Sequence, residues 1–213
     1  MGHNLASLIQ LMLVTDDALI AGRDLPGLAR AAEHGGVTAV QLRLKRASAR
    51  ELAEAARALQ AVIRVPVLVN DRLDVALAVG AAGVHLGPDD VPVELARRIA
   101  SAGFVVGASV GSPEEAAAAR AADYWGVGPW RTTGTKTDAG TALGPEGFRR
   151  ILALAGAIPC VGIGGVRPED VGPLWATGAA GVAVVSGILG AGNVEAAARR
   201  YAEAGRSAGA PTR

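Results

Sequence analysis

Short apolar runs alternate with amphipathic stretches along almost the whole chain. Eight runs stand out: Leu11–Val14, Ala39–Leu42, Val67–Asn70, Gly83–Leu86, 105–108, Tyr124–Val127, 161–163 and 182–185. They carry few polar positions, the pattern of parallel strands covered on both faces rather than of strands with one wet side. Between them, apolar residues recur at helical spacing. One helix is predicted to start at Ser48, where Glu51 completes a capping box, and to bury Leu52, Ala55, Leu59 and Val62. A second is predicted from Ser112, with Pro113 in the first helical position and Glu115 completing another box. Gly35-Gly36, Gly80, Gly103, Gly156 and Gly178 each follow a helical stretch, where a left-handed residue commonly ends the helix. This alternation within 213 residues predicts an α/β chain folded as a (β/α)8 TIM barrel, a single domain over 1–213. The barrel proper is expected at about 9–204, with a frayed tail from about Gly205. An open doubly wound sheet is the alternative, but no Gly-rich dinucleotide fingerprint follows the first strand.

Composition narrows this picture. Half the residues are apolar yet only 3% are aromatic, so Ala, Val, Leu and Gly must fill the interior. A net charge of +1 argues against a nucleic-acid surface or a polybasic membrane anchor. The stretch 171–194 is uncharged, but Pro173 and repeated glycines divide it into a helix, a turn, a buried strand and a loop, not a membrane span. One cysteine, Cys160, cannot make an internal disulfide, and no secretory signal opens the chain; a reduced, cytoplasmic protein is expected.

The polar residues fall in register. Gln41, Arg43 and Lys45 follow the second strand, Asn70 and Asp71 the third, and His85 to Asp90 the fourth. Ser109 ends the fifth, Thr133 to Lys136 lie beyond the sixth, Gly165 follows the seventh and Ser186 the eighth. All converge on the carboxyl ends of the strands, the rim where barrels of this type build their sites. The alternation Gln41-Leu42-Arg43-Leu44-Lys45 aims an amide and two cations one way, which suits a phosphate-rich anion. Asp71, Asp74, Asp89 and Asp90 offer hard oxygen donors, and two well-placed carboxylates suffice for Mg2+ when substrate oxygens and water complete its shell. For any one of them helix capping is an equal account, and His85 alone is expected to be structural. Gly162-Ile163-Gly164-Gly165 and Val185-Ser186-Gly187 form the recurrent backbone phosphate site of barrels. The loop 128–138 is long, hydroxyl-rich and cationic, the character of a flap over anions.

With this loop the chain resembles the thiamine-phosphate synthase family, also called thiamine-phosphate pyrophosphorylase. The resemblance runs from Leu13-Val14-Thr15-Asp16 to about Ala198 and includes Gln41-Leu42-Arg43-Leu44-Lys45, Asn70-Asp71, Gly83-Val84-His85-Leu86-Gly87, Gly128-Pro129, Thr133-Gly134-Thr135-Lys136, Ile163-Gly164-Gly165 and Val184-Val185-Ser186. It implies joining of 4-amino-2-methyl-5-hydroxymethylpyrimidine diphosphate to the phosphorylated thiazole, or its carboxylated form, with release of pyrophosphate. By resemblance, Gln41, Leu42, Arg43, Leu44, Lys45, Asn70, Ser109 and Lys136 meet the pyrimidine diphosphate, and Arg43, Lys45, Ser109 and Lys136 act in catalysis. Thr133, Gly134, Thr135, Gly165, Val185 and Ser186 take the thiazole phosphate. Asp71 and Asp90 hold Mg2+, with Asp89 the alternative to Asp90 because Pro88 replaces the Gln often found there; Leu44 stands where many members carry Glu. Small phosphorylated substrates are the implied partners, with a homodimer as a family-level expectation. Three rivals share parts of this pattern: a thiazole tautomerase-like isomerase, a non-catalytic phosphate-binding barrel and a generic sugar-phosphate enzyme. Pyrophosphate released only when both substrates are present separates the synthase from all of them.

Overall fold

The computed structural model describes residues 5–132 and 141–209. Helix α1 (Leu5–Leu8) precedes β1 (Leu11–Val14), α2 (Asp17–Ile20) and α3 (Leu25–His34). Then follow β2 (Ala39–Leu42), α4 (Ala49–Val62), β3 (Val67–Asn70), α5 (Leu73–Ala78), β4 (Gly83–Leu86) and α6 (Val93–Ile99). The chain continues through β5 (Val105–Val110), α7 (Pro113–Ala118), β6 (Tyr124–Val127), α8 (Gly144–Ala155) and β7 (Cys160–Ile163). A 3-10 turn (Pro168–Asp170) leads into α9 (Val171–Ala176), β8 (Gly181–Val184), α10 (Ser186–Leu189) and α11 (Val194–Ser207). All eight strands are parallel, each pairs with its sequence neighbours, and β8 pairs with β1 to close the barrel.

Period-two alternation divides each strand between two environments. Leu13, Val40, Leu42, Val69, Val84, Val106, Trp125 and Val184 point outward into the layer shared with the helices. Met12, Val14, Ala39, Leu68, Val105, Tyr124, Val161 and Ala183 fill the barrel itself. Eight strands leave room only for packed side chains, so bulk on one strand requires its absence on the next. Gly107 pairs with Tyr124 across β5 and β6, and a β-carbon at Gly107 would run into the tyrosine ring. Gly107→Ala should therefore lower the urea midpoint by the equivalent of about 1–3 kcal/mol, the usual cost of overpacking a rigid core. An unchanged midpoint would show that the ring can move aside.

Helix ends follow local chemistry, with some departures from the sequence pattern. At α4, the Ser48 N–H donates to Glu51 Oε2 at 2.8 Å and the Glu51 N–H to Ser48 Oγ at 3.3 Å, a complete box. The buried stripe of α4 is Leu52, Ala56 and Leu59, ending on Ile63 beyond the helix. Ala55 is only partly buried and Val62 is exposed, because a 100° step per residue carries the stripe off position 62. At α7, Ser112 caps the Glu115 N–H as predicted, but Glu115 Oε2 accepts from Gly111 instead of closing the box. Gly36, Gly80, Gly103, Gly156 and Gly178 have positive φ, whereas Gly35 stays right-handed. Strand β5 runs to Val110, β7 begins at Cys160, and β8 ends at Val184, so Val185 lies outside it. The C-terminal helix continues to Ser207, with Gly205 buried against Trp175. Among the described residues, no helix is long and apolar enough to cross a membrane, and 171–194 divides into α9, β8 and α10.

Candidate active site

The inward alternation of the strands delivers Gln41, Asn70, His85 and Ser109 to the carboxyl-end rim. The cavity there is about 540 Å³. Strand β2 stops at Leu42, yet Arg43 and Lys45 still turn into the cavity. Leu42 is fully buried toward the helices and Leu44 packs against the same layer, so neither side chain lines it. The turn after β1 holds this cationic segment in place. Thr15 Oγ1 accepts from the Arg43 N–H at 2.8 Å and donates to the Arg43 carbonyl at 3.0 Å. Asp16 accepts from the Arg43 guanidinium at 3.2 Å while capping α2, and Asp17 accepts from the Lys45 N–H at 2.9 Å. The sequence pattern assigned no task to these three residues; their partners stand 27 or 28 positions away.

Beside the cations lies a carboxylate pair. Gln41 donates to Asn70 at 2.8 Å, tying β2 to β3 at the rim. Asp71 follows with φ +64°, a left-handed conformation that Asp and Asn tolerate better than other side-chain-bearing residues. Its N–H is held by the His85 carbonyl at 2.8 Å. Asp90 receives the Gly87 N–H at 2.7 Å, and its carboxyl interacts with that of Asp71. Burial and then the facing Asp90 carboxyl push the Asp71 pKa up to about 6, against the opposing pull of Lys45 and Arg43. It is Asp90 that interacts with Asp71, although Asp89 also lines the cavity. Asp74 is engaged elsewhere: Arg72 binds it at 2.9 and 2.6 Å in the first turn of α5. Among the described residues no group of three or more His, Cys, Asp or Glu could hold a metal. Two hard carboxylates without a soft competitor do fit Mg2+, which commonly completes its shell with water and substrate phosphate.

A second polar chain runs down into the barrel. His85 bonds Tyr124 through Nδ1 at 2.9 Å and Ser109 through Nε2 at 3.0 Å. Burial holds the Tyr124 phenol well above its ordinary pKa, so it stays neutral. His85 is thus a hydrogen-bonded histidine as expected, but one that orients the rim hydroxyl of Ser109. Cys160 sits at the opposite end of its strand, buried, with its thiol pKa raised to about 12 by that burial.

Across the rim, Gly164 and Gly165 adopt positive φ of +91° and +66°, opening the backbone after β7 toward the cavity. Val185 and Ser186 line the same side, and the first turn of α10 leaves N–H groups with no intrahelical acceptor. Tyr201 buttresses both loops: its hydroxyl donates to the Val166 carbonyl at 2.9 Å, and its ring end lies where a β-carbon on Gly187 would be. Thr133, Gly134, Thr135 and Lys136 lie outside the described residues.

The fold and this rim define a (β/α)8 barrel of the enzyme type, with cations and paired carboxylates on one side of its carboxyl-end cavity and a glycine-rich backbone on the other. Residues 11–188 match the family model described as thiamine monophosphate synthase. The thiamine-phosphate synthase of Azorhizobium caulinodans is 49% identical over 196 residues, covering 90% of this chain and 92% of that protein. The one from Moorella thermoacetica is 46% identical over 198 residues, covering 91% and 94%. The solved thiamine phosphate pyrophosphorylase from Pyrococcus furiosus superposes with a TM-score of 0.86 at 38% identity, over 96% of this chain and 99% of that one. The chain belongs to the thiamine-phosphate synthase family and is a transferase of thiamine biosynthesis.

Proposed function

We propose that the chain condenses 4-amino-2-methyl-5-hydroxymethylpyrimidine diphosphate with the phosphorylated thiazole, or its carboxylated form, to thiamine phosphate, releasing pyrophosphate and, from the carboxylated form, carbon dioxide as well. The observation that carries this is the two-sided rim of one cavity, with Arg43, Lys45, Asn70, Asp71 and Asp90 on one side and Gly165, Val185 and Ser186 on the other. The diphosphate lies on the first side, where Arg43 and Lys45 stabilise charge that grows on it as the C–O bond breaks. Asp71 and Asp90 would hold Mg2+, which when bound neutralises further charge on the leaving group. Gln41, Asn70 and the Ser109 hydroxyl orient the pyrimidine end, whose ring amine donates electrons to the methylene carbon. The backbone at Gly165 and Ser186 holds the thiazole phosphate so that the ring nitrogen attacks that carbon, and the encounter becomes intramolecular. Lys136 with Thr133, Gly134 and Thr135 complete the two anion sites in this reading. No protein nucleophile is needed, and Cys160, buried at the far end of β7, offers none. The enzyme is proposed to act in the cytoplasm as a homodimer, an assembly that light scattering on the eluted protein tests directly.

A coupled pyrophosphate assay tests the reaction. Release is expected only with both substrates and Mg2+, and full activity in EDTA would remove the metal from the scheme. The Asp71 pKa of about 6 adds a pH signature. Above that pH Asp71 is ionised; below it the metal must displace a proton. Apparent Mg2+ affinity of the free enzyme is expected to weaken roughly tenfold per pH unit below about 6, as read by titration calorimetry. A flat affinity between pH 5 and 8 would mean that Asp71 is not a ligand.

A further inference from the structure

Beyond the strand ends, the segment leaving β6 stays joined to the loop leaving β7. The Trp130 N–H donates to the Ile163 carbonyl at 2.8 Å and the Arg131 N–H to the Gly164 carbonyl at 2.9 Å. The Arg131 guanidinium then reaches Asp170 with two parallel bonds, Nε to Oδ2 at 2.8 Å and Nη2 to Oδ1 at 2.5 Å. Asp170 belongs to the 3-10 turn that follows the glycine loop, and its side chain is 5% exposed against 46% for Arg131. The Arg167 N–H donates to the same carboxylate at 2.9 Å. A carboxylate so surrounded is fixed in both position and orientation, and a bidentate guanidinium transmits both to the chain that carries it. The two backbones also pass at contact: a β-carbon on Gly165 would lie 3.0 Å from Arg131 Cβ, and one on Gly164 would meet Pro129.

We propose that Asp170, acting through Arg131, is a positioning residue that sets the Gly164-Gly165 backbone and thereby the affinity for the phosphorylated thiazole. The proposal rests on the reading that this substrate's phosphate lies between β7 and β8. Neither side chain lines the cavity, so the pair acts on the cradle and not on the substrate. Asparagine at 170 keeps the shape but turns one acceptor into an amide NH2 donor facing the guanidinium. The Gly164-Gly165 loop then loses its outer clamp while the Arg43–Asp71 side of the rim is untouched.

Steady-state kinetics of Asp170→Asn and Arg131→Gln test this, each substrate being varied in turn. The KM for thiazole phosphate is expected to rise about tenfold, with the KM for pyrimidine diphosphate within about twofold, since displacement of one anchoring group acts on the substrate it anchors. The double variant should be no worse than the weaker single, because the two changes break one link. A readout independent of turnover is the Gly165 amide resonance, expected to shift on titration with inorganic phosphate in the wild type and to need about tenfold more phosphate in either variant. A rise in both KM values together, or no rise in either, overturns the proposal. Should Asp170→Asn not fold, Arg131→Gln carries the test from its half-exposed position. A wild type that makes no thiamine phosphate overturns the functional reading and this proposal with it; an active wild type with unselective variants overturns the proposal alone.

Discussion

Asp71→Asn is expected to stop turnover and, at the same time, to make the metal-free protein more stable above pH 6. The two effects share one cause. Asp71 is held beside Asp90 in a half-buried place that favours its neutral form, so its pKa rises to about 6 from the ordinary carboxyl value of 3.8. A carboxyl whose pKa is higher folded than unfolded costs stability wherever it is ionised in the fold: fully above about pH 6, progressively less down to about pH 4, and not at all below. After allowance for solvent screening at a partly exposed site, this cost is on the order of 1 kcal/mol. Asparagine removes the charge and accepts the left-handed φ of +64° at least as well, so the backbone stays in place. Alanine would confound the test by adding strain at that φ. Urea unfolding in EDTA at pH 8 should therefore show the variant above the wild type, with the difference fading toward pH 4. Pyrophosphate release should fall roughly 10²–10³-fold, the usual cost of losing one group that stabilises transition-state charge. A variant that is both active and unchanged in stability would deny the carboxylate pair any role.

The alternation of apolar runs made the barrel legible, because parallel strands buried on both faces leave few polar positions and the helices between them keep their own period. The rim was legible for the same reason: Gln41, Asn70, His85 and Ser109 each sit at the carboxyl end of a run, and closure of the sheet brings such ends together. What local pattern does not carry is pairing at a distance. Thr15 clasps Arg43 across 28 positions, His85 reaches Tyr124 across 39, and Arg131 reaches Asp170 across 39. Each member looks like an ordinary loop or strand residue until the fold supplies its partner. Tyr201 is the same case, a helical aromatic whose hydroxyl proves to hold the Val166 carbonyl. The choice between Asp89 and Asp90 was open because adjacent acids in a loop have no period to separate them. The Gly87 N–H and the turn it closes select Asp90 to face Asp71. At Leu42 and Leu44 family resemblance covers a whole segment, whereas the alternation of side chains leaves only its odd positions facing the cavity.

Arg43→Met is expected to lower kcat/KM for the pyrimidine diphosphate about 10³-fold, the upper range for removal of one preorganised donor at a developing anion. The KM for thiazole phosphate should stay within about twofold, since that substrate's proposed cradle lies across the rim. Preorganisation is the reason for the size. Thr15 grips the Arg43 backbone on both its N–H and its carbonyl, and Asp16 holds one guanidinium nitrogen at 3.2 Å, leaving the rest of the fork to the cavity. Both charged side chains of this pair are only 15% exposed. Removing the guanidinium therefore does more than delete a donor. It leaves the largely buried Asp16 carboxylate without its counter-charge, behind the place proposed for the diphosphate, so that a charge once neutralised now repels the substrate. Asp16→Asn in the Arg43→Met background is accordingly expected to recover about tenfold of the lost activity, while Asp16→Asn alone costs about tenfold through a loosened Arg43. Arg43→Lys should fall between, because an ammonium restores charge without the fork that binds Asp16 and a phosphoryl oxygen together. Recovery in the double variant identifies Asp16 as the orienting partner; a double variant no better than Arg43→Met would mean that the carboxylate finds water, and that the arginine acts by its own charge alone.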